Sequence, residues 1–96
     1  MCALKKISEA EVASSDGFVV KYGRDTLTYS EGTRYVLIPI EHLGAPYEMS
    51  VSLNSIDKWM VKGRPAEDVG PLELDVIQSR VEECLTFLHR NFSVVR

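Results

Sequence analysis

Apolar and polar residues alternate with a period of two through much of the first half of this chain. In a strand, such alternation turns one row of side chains toward a buried face and the other row toward water. Residues 47–54 are the clearest case, with apolar residues at odd positions and polar residues at even positions. The predicted buried rows are Phe18, Val20 and Tyr22, then Leu27 and Tyr29, and then Tyr47, Met49, Val51 and Leu53. Turns are predicted at residues 16–17, 23–25 and 31–32.

Residues 33–40 have apolar side chains on both faces, because Tyr35 and Leu37 alternate with Val36 and Ile38. A strand of this kind is typical of a central position that is covered on both sides. Pro39 has no amide hydrogen, so we expect strand pairing to fail on one side of it.

Two helices are predicted, one near each end of the chain. Ser8 and Glu11 have the spacing of a capping box, which predicts a short helix over about residues 8–15. Pro71 suits a first helical position and predicts a helix over about residues 71–90, about 30 Å long. The apolar stripe of this second helix consists of Leu74, Ile77, Val81, Cys84, Leu85 and Leu88.

Two segments fit more than one structure. Residues 54–61 fit either a helical turn, with Asn54 as its cap, or a bent continuation of the preceding strand. Residues 92–95 fit either a final edge strand or a packed tail. The two alternatives stay open for each segment.

These elements predict an α+β fold with one domain over residues 1–96. A small antiparallel sheet of four or more strands is covered by the long C-terminal helix, and a short helix precedes the sheet. One face of the sheet remains polar, and the residues expected on it are Arg34, Glu48, Ser50 and Ser52.

Charge and composition exclude several classes of protein. The formal net charge is -3, and a nucleic-acid-binding protein usually has a basic face. The longest apolar run, residues 35–38, ends at Pro39, which is too short to cross a membrane. The first six residues become charged too early for a secretory signal, so we expect a cytoplasmic protein. Cys2 and Cys84 lie at opposite ends, which favours a reducing compartment and leaves a disulfide between them open.

The residues provide no recognisable catalytic template. The chain has no Gly-rich phosphate loop, no CxxC, no HExxH and no GxSxG sequence. A zinc site would need His42 and His89 together with a cysteine, from widely separated segments. We therefore expect no enzymatic activity, no metal and no cofactor.

Several short segments resemble one known family. They are residues 27–34, with the sequence Leu-Thr-Tyr-Ser-Glu-Gly-Thr-Arg, residues 55–59, with the sequence Ser-Ile-Asp-Lys-Trp, and the isolated positions Glu41, Val51, Ile77, Val81 and Leu85. This pattern, over about residues 17–87, resembles the immunity protein 74 family of small bacterial proteins. The resemblance implies a protein that neutralises a toxin of a polymorphic secretion system by direct binding, and it carries over no catalytic residue.

The leading hypothesis is a non-enzymatic protein that binds a protein partner, such as a cognate toxin domain. Its expected contact region is residues 57–68, which are loop-like, charged and adjacent to the only tryptophan. The expected partner-binding residues are Asp57, Trp59, Arg64, Glu67 and Asp68. Trp59 is expected to be a mostly buried anchor whose indole N–H has a hydrogen-bond partner.

Two other functions stay open at this point. One is a small adaptor or regulatory domain without a toxin partner, and the other is a small ligand-binding or hydrolytic enzyme, which ranks last. A homodimer also stays open. The sequence identifies neither a toxin nor the order of the strands.

Overall fold

A computed structural model describes residues 3–42, 49–88 and 92–95 of the chain. Of these residues, 51% lie in strands and 24% in helices. The strands are β1 (Leu4–Ser8), β2 (Glu11–Ser14), β3 (Phe18–Tyr22), β4 (Thr26–Glu31), β5 (Arg34–His42), β6 (Met49–Ser52), β7 (Lys58–Val61), β8 (Glu67–Asp68) and β9 (Phe92–Val95). The helices are a 3-10 turn at Leu53–Ser55 and α1 at Pro71–Phe87.

The strands form a curled half-barrel of seven strands in the order β1-β2-β3-β4-β5-β6-β9. Strand β7 pairs with β5, and β8 pairs with β7, so these two strands branch from the middle of the sheet. All described pairs are antiparallel except β6 with β9. A parallel pair needs a crossover connection, and α1 lies in the segment that joins β6 to β9.

The predicted N-terminal helix over residues 8–15 is wrong, and so is the prediction of a small sheet beside it. These residues belong to the β1–β2 hairpin, in which Lys5 pairs with Ala13. The Ser8 hydroxyl accepts the Ala10 amide hydrogen at 3.2 Å and so closes the turn. A serine can cap a helix or a turn with the same short bond, and here cross-strand pairing determines which forms.

The core lies between the inner face of the curled sheet and α1. The predicted rows from β3, β4 and β6 are buried where they are described, apart from Tyr22, which packs partly buried against this core. The helix stripe is also confirmed, since Ile77, Val81, Cys84, Leu85 and Leu88 are buried and Leu74 is partly buried. Gln78 is the one buried polar residue of the described part, and its amide donates to the Leu53 carbonyl at 3.4 Å.

Strand β5 is central, as predicted, but it is covered on one face only. Val36 and Ile38 are buried, whereas Leu37 on the other face is 48% exposed. The expected interruption at Pro39 is confirmed, because β7 pairs with β5 only at Arg34 and Tyr35, and β6 pairs with it only from Ile40 onward. The described residues place no strand beside residues 36–39 on that edge.

The two ambiguous segments are resolved. Residues 53–55 form the 3-10 turn and residues 58–61 form a strand, so both structures occur within residues 54–61. Residues 92–95 form the edge strand β9. Arg34 lies on the helix-facing side of the sheet and not on the polar face, because it alternates in phase with Val36.

Some predictions fall outside the described residues. They concern Cys2, Tyr47, Glu48, His89 and Arg90. In the described part of the chain, no helix has both the length and the apolar character that crossing a membrane requires.

Substitution of Leu85 tests the packing of α1 on the sheet. Leu85 is fully buried, so Leu85→Ala should lower the free energy of unfolding by about 2–4 kcal/mol. The matched control on the same helix is Leu72→Ala, because Leu72 is 82% exposed and should change stability by less than about 0.5 kcal/mol. Denaturant unfolding measures both, and equal effects of the two changes would contradict this packing.

Candidate protein-binding surface

The predicted contact region forms an exposed hairpin from β7 and β8. In its register Lys58 pairs with Asp68 and Trp59 pairs with Glu67. Residues 62–68 between and within these strands are all exposed. Two cross-strand pairs attach Met60 and Val61, at the loop end of β7, to the start of β5. The structure therefore joins the hairpin to the central strand of the sheet close to its exposed loop.

Four of the five predicted partner-binding residues are exposed on or beside this hairpin. Arg64, Glu67 and Asp68 belong to it, and Asp57 directly precedes β7. The backbone carbonyl of Asp57 accepts the Val69 amide hydrogen at 2.9 Å, which holds the two ends of the hairpin together. The fifth residue, Trp59, does not belong to the accessible set, because it is 1% exposed.

The two acidic residues of β8 have different surroundings. Asp68 forms an ion pair with Lys58, and the hydrogen bond to its carboxylate raises the pKa of Lys58. Both side chains of this pair are exposed, so solvent screens it strongly. Glu67 lies opposite Trp59 in the register and has no ion pair in the described residues. Glu67 is consequently the more available negative charge.

Trp59 is the anchor at the base of the hairpin. Its burial confirms the prediction of a core residue. No acceptor within the described chain meets hydrogen-bonding geometry at Nε1, which is itself buried. The Glu73 carboxylate nevertheless interacts with the indole N–H in a poorer geometry, and this interaction helps to lower the pKa of Glu73.

Arg34 and Glu73 connect this tryptophan to the start of α1. The Arg34 guanidinium lies over the Trp59 ring, 4.0 Å from its centroid, and its Nη2 donates to Glu73 Oε2 at 3.0 Å. Glu73 Oε1 accepts the Gly70 amide hydrogen at 3.2 Å. This backbone bond is the main reason that the pKa of Glu73 is lowered, and both Trp59 and Arg34 add to the effect.

A second arginine makes a similar set of contacts with two other aromatic residues. The Arg80 guanidinium lies 4.5 Å from the centroid of the Phe18 ring and donates to the Tyr29 hydroxyl at 2.8 Å. Tyr29 in turn donates to Glu31 Oε2 at 2.6 Å. Glu31 also pairs with Arg80 at 3.3 Å and with Arg34 at 3.6 Å, so it joins the two arrangements.

The Tyr29 phenol is the most strongly perturbed group of this network. Its side chain is fully buried, and this loss of hydration raises the pKa of Tyr29 well above its ordinary value. The hydrogen bond to Glu31 raises it further, whereas Arg80 opposes the shift. Tyr29 is therefore a neutral hydrogen-bonding group in the folded protein.

A pocket of about 220 Å³ opens beside this network, between α1 and the sheet. Its lining is mostly apolar and includes two exposed residues of α1, Leu72 at 82% and Val76 at 44%. The complete lining consists of Glu31, Trp59, Leu72, Glu73, Val76, Ile77 and Arg80.

Neither the network nor the pocket was predicted from the sequence. Arg34 and Glu73 are 39 positions apart, and Arg80 and Tyr29 are 51 positions apart. No local pattern identifies such pairs, because they depend on how α1 is placed over the sheet. The arginine and glutamate residues that form them are ordinary surface types in the sequence.

Few residues with catalytic or metal-binding chemistry come together in the described part of the chain. No group of three or more histidine, cysteine, aspartate or glutamate side chains there is suited to a metal ion. Cys84 lies in the core. The His42 side chain and His89 are outside the described residues. The hypothesis of a small ligand-binding or hydrolytic enzyme therefore stays open at those positions.

Comparison with known proteins assigns no family to this chain. No protein-family model, curated protein or solved structure matches it. The resemblance to the immunity protein 74 family therefore stays a prediction.

Trp59 gives a direct optical test of the hairpin base, because it is the only tryptophan in the chain. Since its ring is buried, its native fluorescence should be shifted to the blue and should move to the red on unfolding. Quenching by iodide should be weak in the native protein and strong in denaturant. A native emission spectrum identical to that of the unfolded chain would contradict the burial of the ring.

The raised pKa of Tyr29 predicts a loss of stability in alkali. Above its ordinary value of 10.0, the unfolded chain releases the phenol proton while the folded protein retains it. Stability from this group is therefore complete below about pH 10 and is lost as the pH rises further.

The substitution Tyr29→Phe isolates this effect from other alkaline titrations. The difference in unfolding free energy between the native chain and the variant should become smaller above about pH 10. Denaturant unfolding from about pH 8 to about pH 11 measures it. A difference that stays constant over this interval would contradict the shift, and Tyr35→Phe is a control because Tyr35 has no contact with Glu31 or Arg80 among the described bonds.

Proposed function

We propose that this protein is a non-enzymatic binding protein of the immunity type, which neutralises a cognate bacterial toxin by direct contact. The observation that carries the proposal is the exposed β7–β8 hairpin, whose residues 62–68 all face solvent while its base is anchored in the core. The attachment of β7 to the core through Trp59 and to β5 through Met60 and Val61 limits the entropy that binding has to overcome.

The anchoring of the hairpin supports a binding role. Trp59 holds β7 against the core, and the Arg34 side chain covers the ring and is fixed in turn by Glu31 and Glu73. The exposed residues thus project from a base whose side chains are already ordered. Interfaces of high affinity commonly use such preformed elements.

The charges of the hairpin are separated along its length. Lys62 and Arg64 lie toward its tip, whereas Asp57 and Glu67 lie at its base. Asp68 is compensated by Lys58. A partner with a basic region opposite the hairpin base would meet Glu67 first, and long-range attraction of this kind accelerates association more than it slows dissociation.

The proposed mechanism is steric and electrostatic. The hairpin and the adjacent start of α1 occupy or distort the functional surface of the toxin, and the acidic residues guide the approach. Exposed charges are screened over about 8–10 Å at physiological salt, so the association rate should fall as salt rises.

Co-expression tests the immunity function directly. The chain should restore the growth of cells that produce the toxin encoded beside its gene, and a size-exclusion experiment should recover the complex. Failure to protect against any neighbouring toxin would overturn the immunity proposal and leave the adaptor or regulatory function.

Charge reversal tests the electrostatic part of the proposal. Glu67→Lys should lower the association rate constant by roughly two- to fivefold at low salt and change the dissociation rate much less. The control is Asp25→Lys, which makes an equal charge change in the exposed loop that directly precedes β4. Surface plasmon resonance at several salt concentrations measures both rates, and equal effects of the two variants would contradict a role for the hairpin.

A further inference from the structure

We infer that the outer edge of β9 pairs with the same edge of a second copy of this chain, so that two half-barrels join into one sheet across a twofold axis. The contact uses Phe92–Val95 of each copy. The inference goes beyond the proposed function and does not depend on it, because the partner is the chain itself and no toxin takes part.

Three strands of the described chain are outermost, because each of them pairs with a single neighbour. Among the described residues, β1 pairs only with β2, β8 only with β7 and β9 only with β6. An outermost strand presents a row of N–H and C=O groups that have no strand partner. An extended strand of another chain satisfies such a row with the correct spacing, as in sheets that bind by strand addition.

Charged side chains protect two of these three edges. β1 contains Lys5 and Lys6, and β8 consists of Glu67 and Asp68. Natural sheets commonly use charge, and lysine in particular, to keep an edge strand from pairing with another chain. β9 contains no charged residue, since its sequence is Phe-Ser-Val-Val. Among the described outermost strands, β9 is therefore the one whose composition permits association.

The strand β9 is already ordered for pairing. All four of its residues pair with β6, which fixes the strand in place. Phe92 and Val94 pack partly buried against the core, so Ser93 and Val95 belong to the outer face of the sheet. Val95 remains 44% exposed. A second strand at this edge would meet a preformed template, which lowers the entropy that association has to overcome.

The symmetry of a dimer restricts the register. In an antiparallel pair, residues that lie opposite each other share a face of the sheet, so a twofold axis has to pass through one residue of β9. With the axis at Ser93, each Phe92 lies opposite Val94 of the second copy, and the two Ser93 side chains meet on the outer face. Aromatic residues beside β-branched residues, and hydroxyl groups opposite each other, are favourable cross-strand pairs. This self-complementarity favours a second copy over an unrelated strand.

The short length of β9 limits the strength of the contact. Stable interfaces bury about 1,200–2,000 Å² in total, and four paired residues from each copy cover much less. We therefore expect a transient dimer with a dissociation constant on the order of 100 µM.

Sedimentation equilibrium of the native chain from about 10 µM to about 1 mM measures this association. The average mass should rise from that of one chain toward that of two chains and no further, because a twofold contact is closed. A single chain at every concentration would overturn the inference, and so would a mass that continues to rise beyond two chains.

A charge at the twofold axis tests where the copies meet. Ser93→Lys places two lysines opposite each other, so the dissociation constant should rise about three- to fivefold. The control is Thr26→Lys, which adds the same charge at a similarly half-buried position of β4 and should leave the dissociation constant unchanged. Equal effects of the two variants would overturn the inference. Native Trp59 fluorescence shows whether each variant is folded, and Val95→Lys, at a more exposed position of the same strand, should weaken the dimer in the same direction.

Isotope-filtered NMR on a mixture of labelled and unlabelled chains tests the register. We expect contacts between the Phe92 ring of one copy and the Val94 methyl groups of the other. Contacts between copies that involve only residues outside β9 would overturn the inference, even if a dimer forms.

The outcome is distinguishable from that of the proposed function, because these measurements need no toxin. A dimer through β9 without protection against a toxin would retain the edge contact and reject the immunity function. Protection by a chain that stays monomeric would retain the immunity function and reject the dimer. Protection of the β9 amides from hydrogen exchange only in a toxin complex would assign this edge to a strand of the toxin, which would also overturn the inference.

Discussion

The inner face of the curled sheet has to be buried by a single helix, and this requirement shapes the whole molecule. Strands lie about 4.8 Å apart, so seven of them laid flat would be roughly 30 Å wide. A helix with its side chains is only about 10–12 Å across. A flat sheet would therefore leave much of its apolar face in water. Curling brings rows from β2 to β6 around α1, and Val12, Met49 and Leu85 become fully or almost fully buried in one cluster.

The charged network of Glu31, Arg34 and Arg80 lies at the margin of the surface that α1 buries. Its role follows from a comparison of its energies with those of apolar burial in the core. Its ion pairs are about one-third exposed, so each contributes little on its own. An arginine over an aromatic ring adds about 0.5–2 kcal/mol. Burial of a single large apolar side chain contributes as much or more. The core consequently provides most of the stability, while Arg34 and Arg80, joined through Glu31, fix where α1 lies on the sheet.

The elements that the sequence predicted correctly are those with a repeated local pattern. The alternating rows of β3, β4 and β6 and the six-residue stripe of α1 each repeat one signal several times, and tertiary packing agreed with all of them. The helix over residues 8–15 depended on a single capping pattern, and pairing between β1 and β2 outweighed it. The exposed face of β5 shows a related limit, because the apolar character of Leu37 does not reveal whether anything covers it.

The candidate site shows the same difference between features that have a local sequence pattern and features that have none. The contact region at residues 57–68 was predicted because an exposed charged segment beside a tryptophan is visible in the sequence, and the structure forms an exposed hairpin there. The pocket was not predicted, because it exists only where α1 packs over the sheet. Arg34 and Glu73, which pair beside it, are 39 positions apart in the sequence and meet only because α1 packs on the sheet. A contact between residues that are so far apart in the sequence has no local signal.

Trp59 physically links the hairpin and the pocket. In β7 its side chain turns inward to line the pocket, while its neighbours Lys58 and Met60 turn outward, because side chains alternate along a strand. A partner that displaces the hairpin would therefore shift the indole, and with it the Arg34 side chain that lies over the ring and pairs with Glu73 at the start of α1.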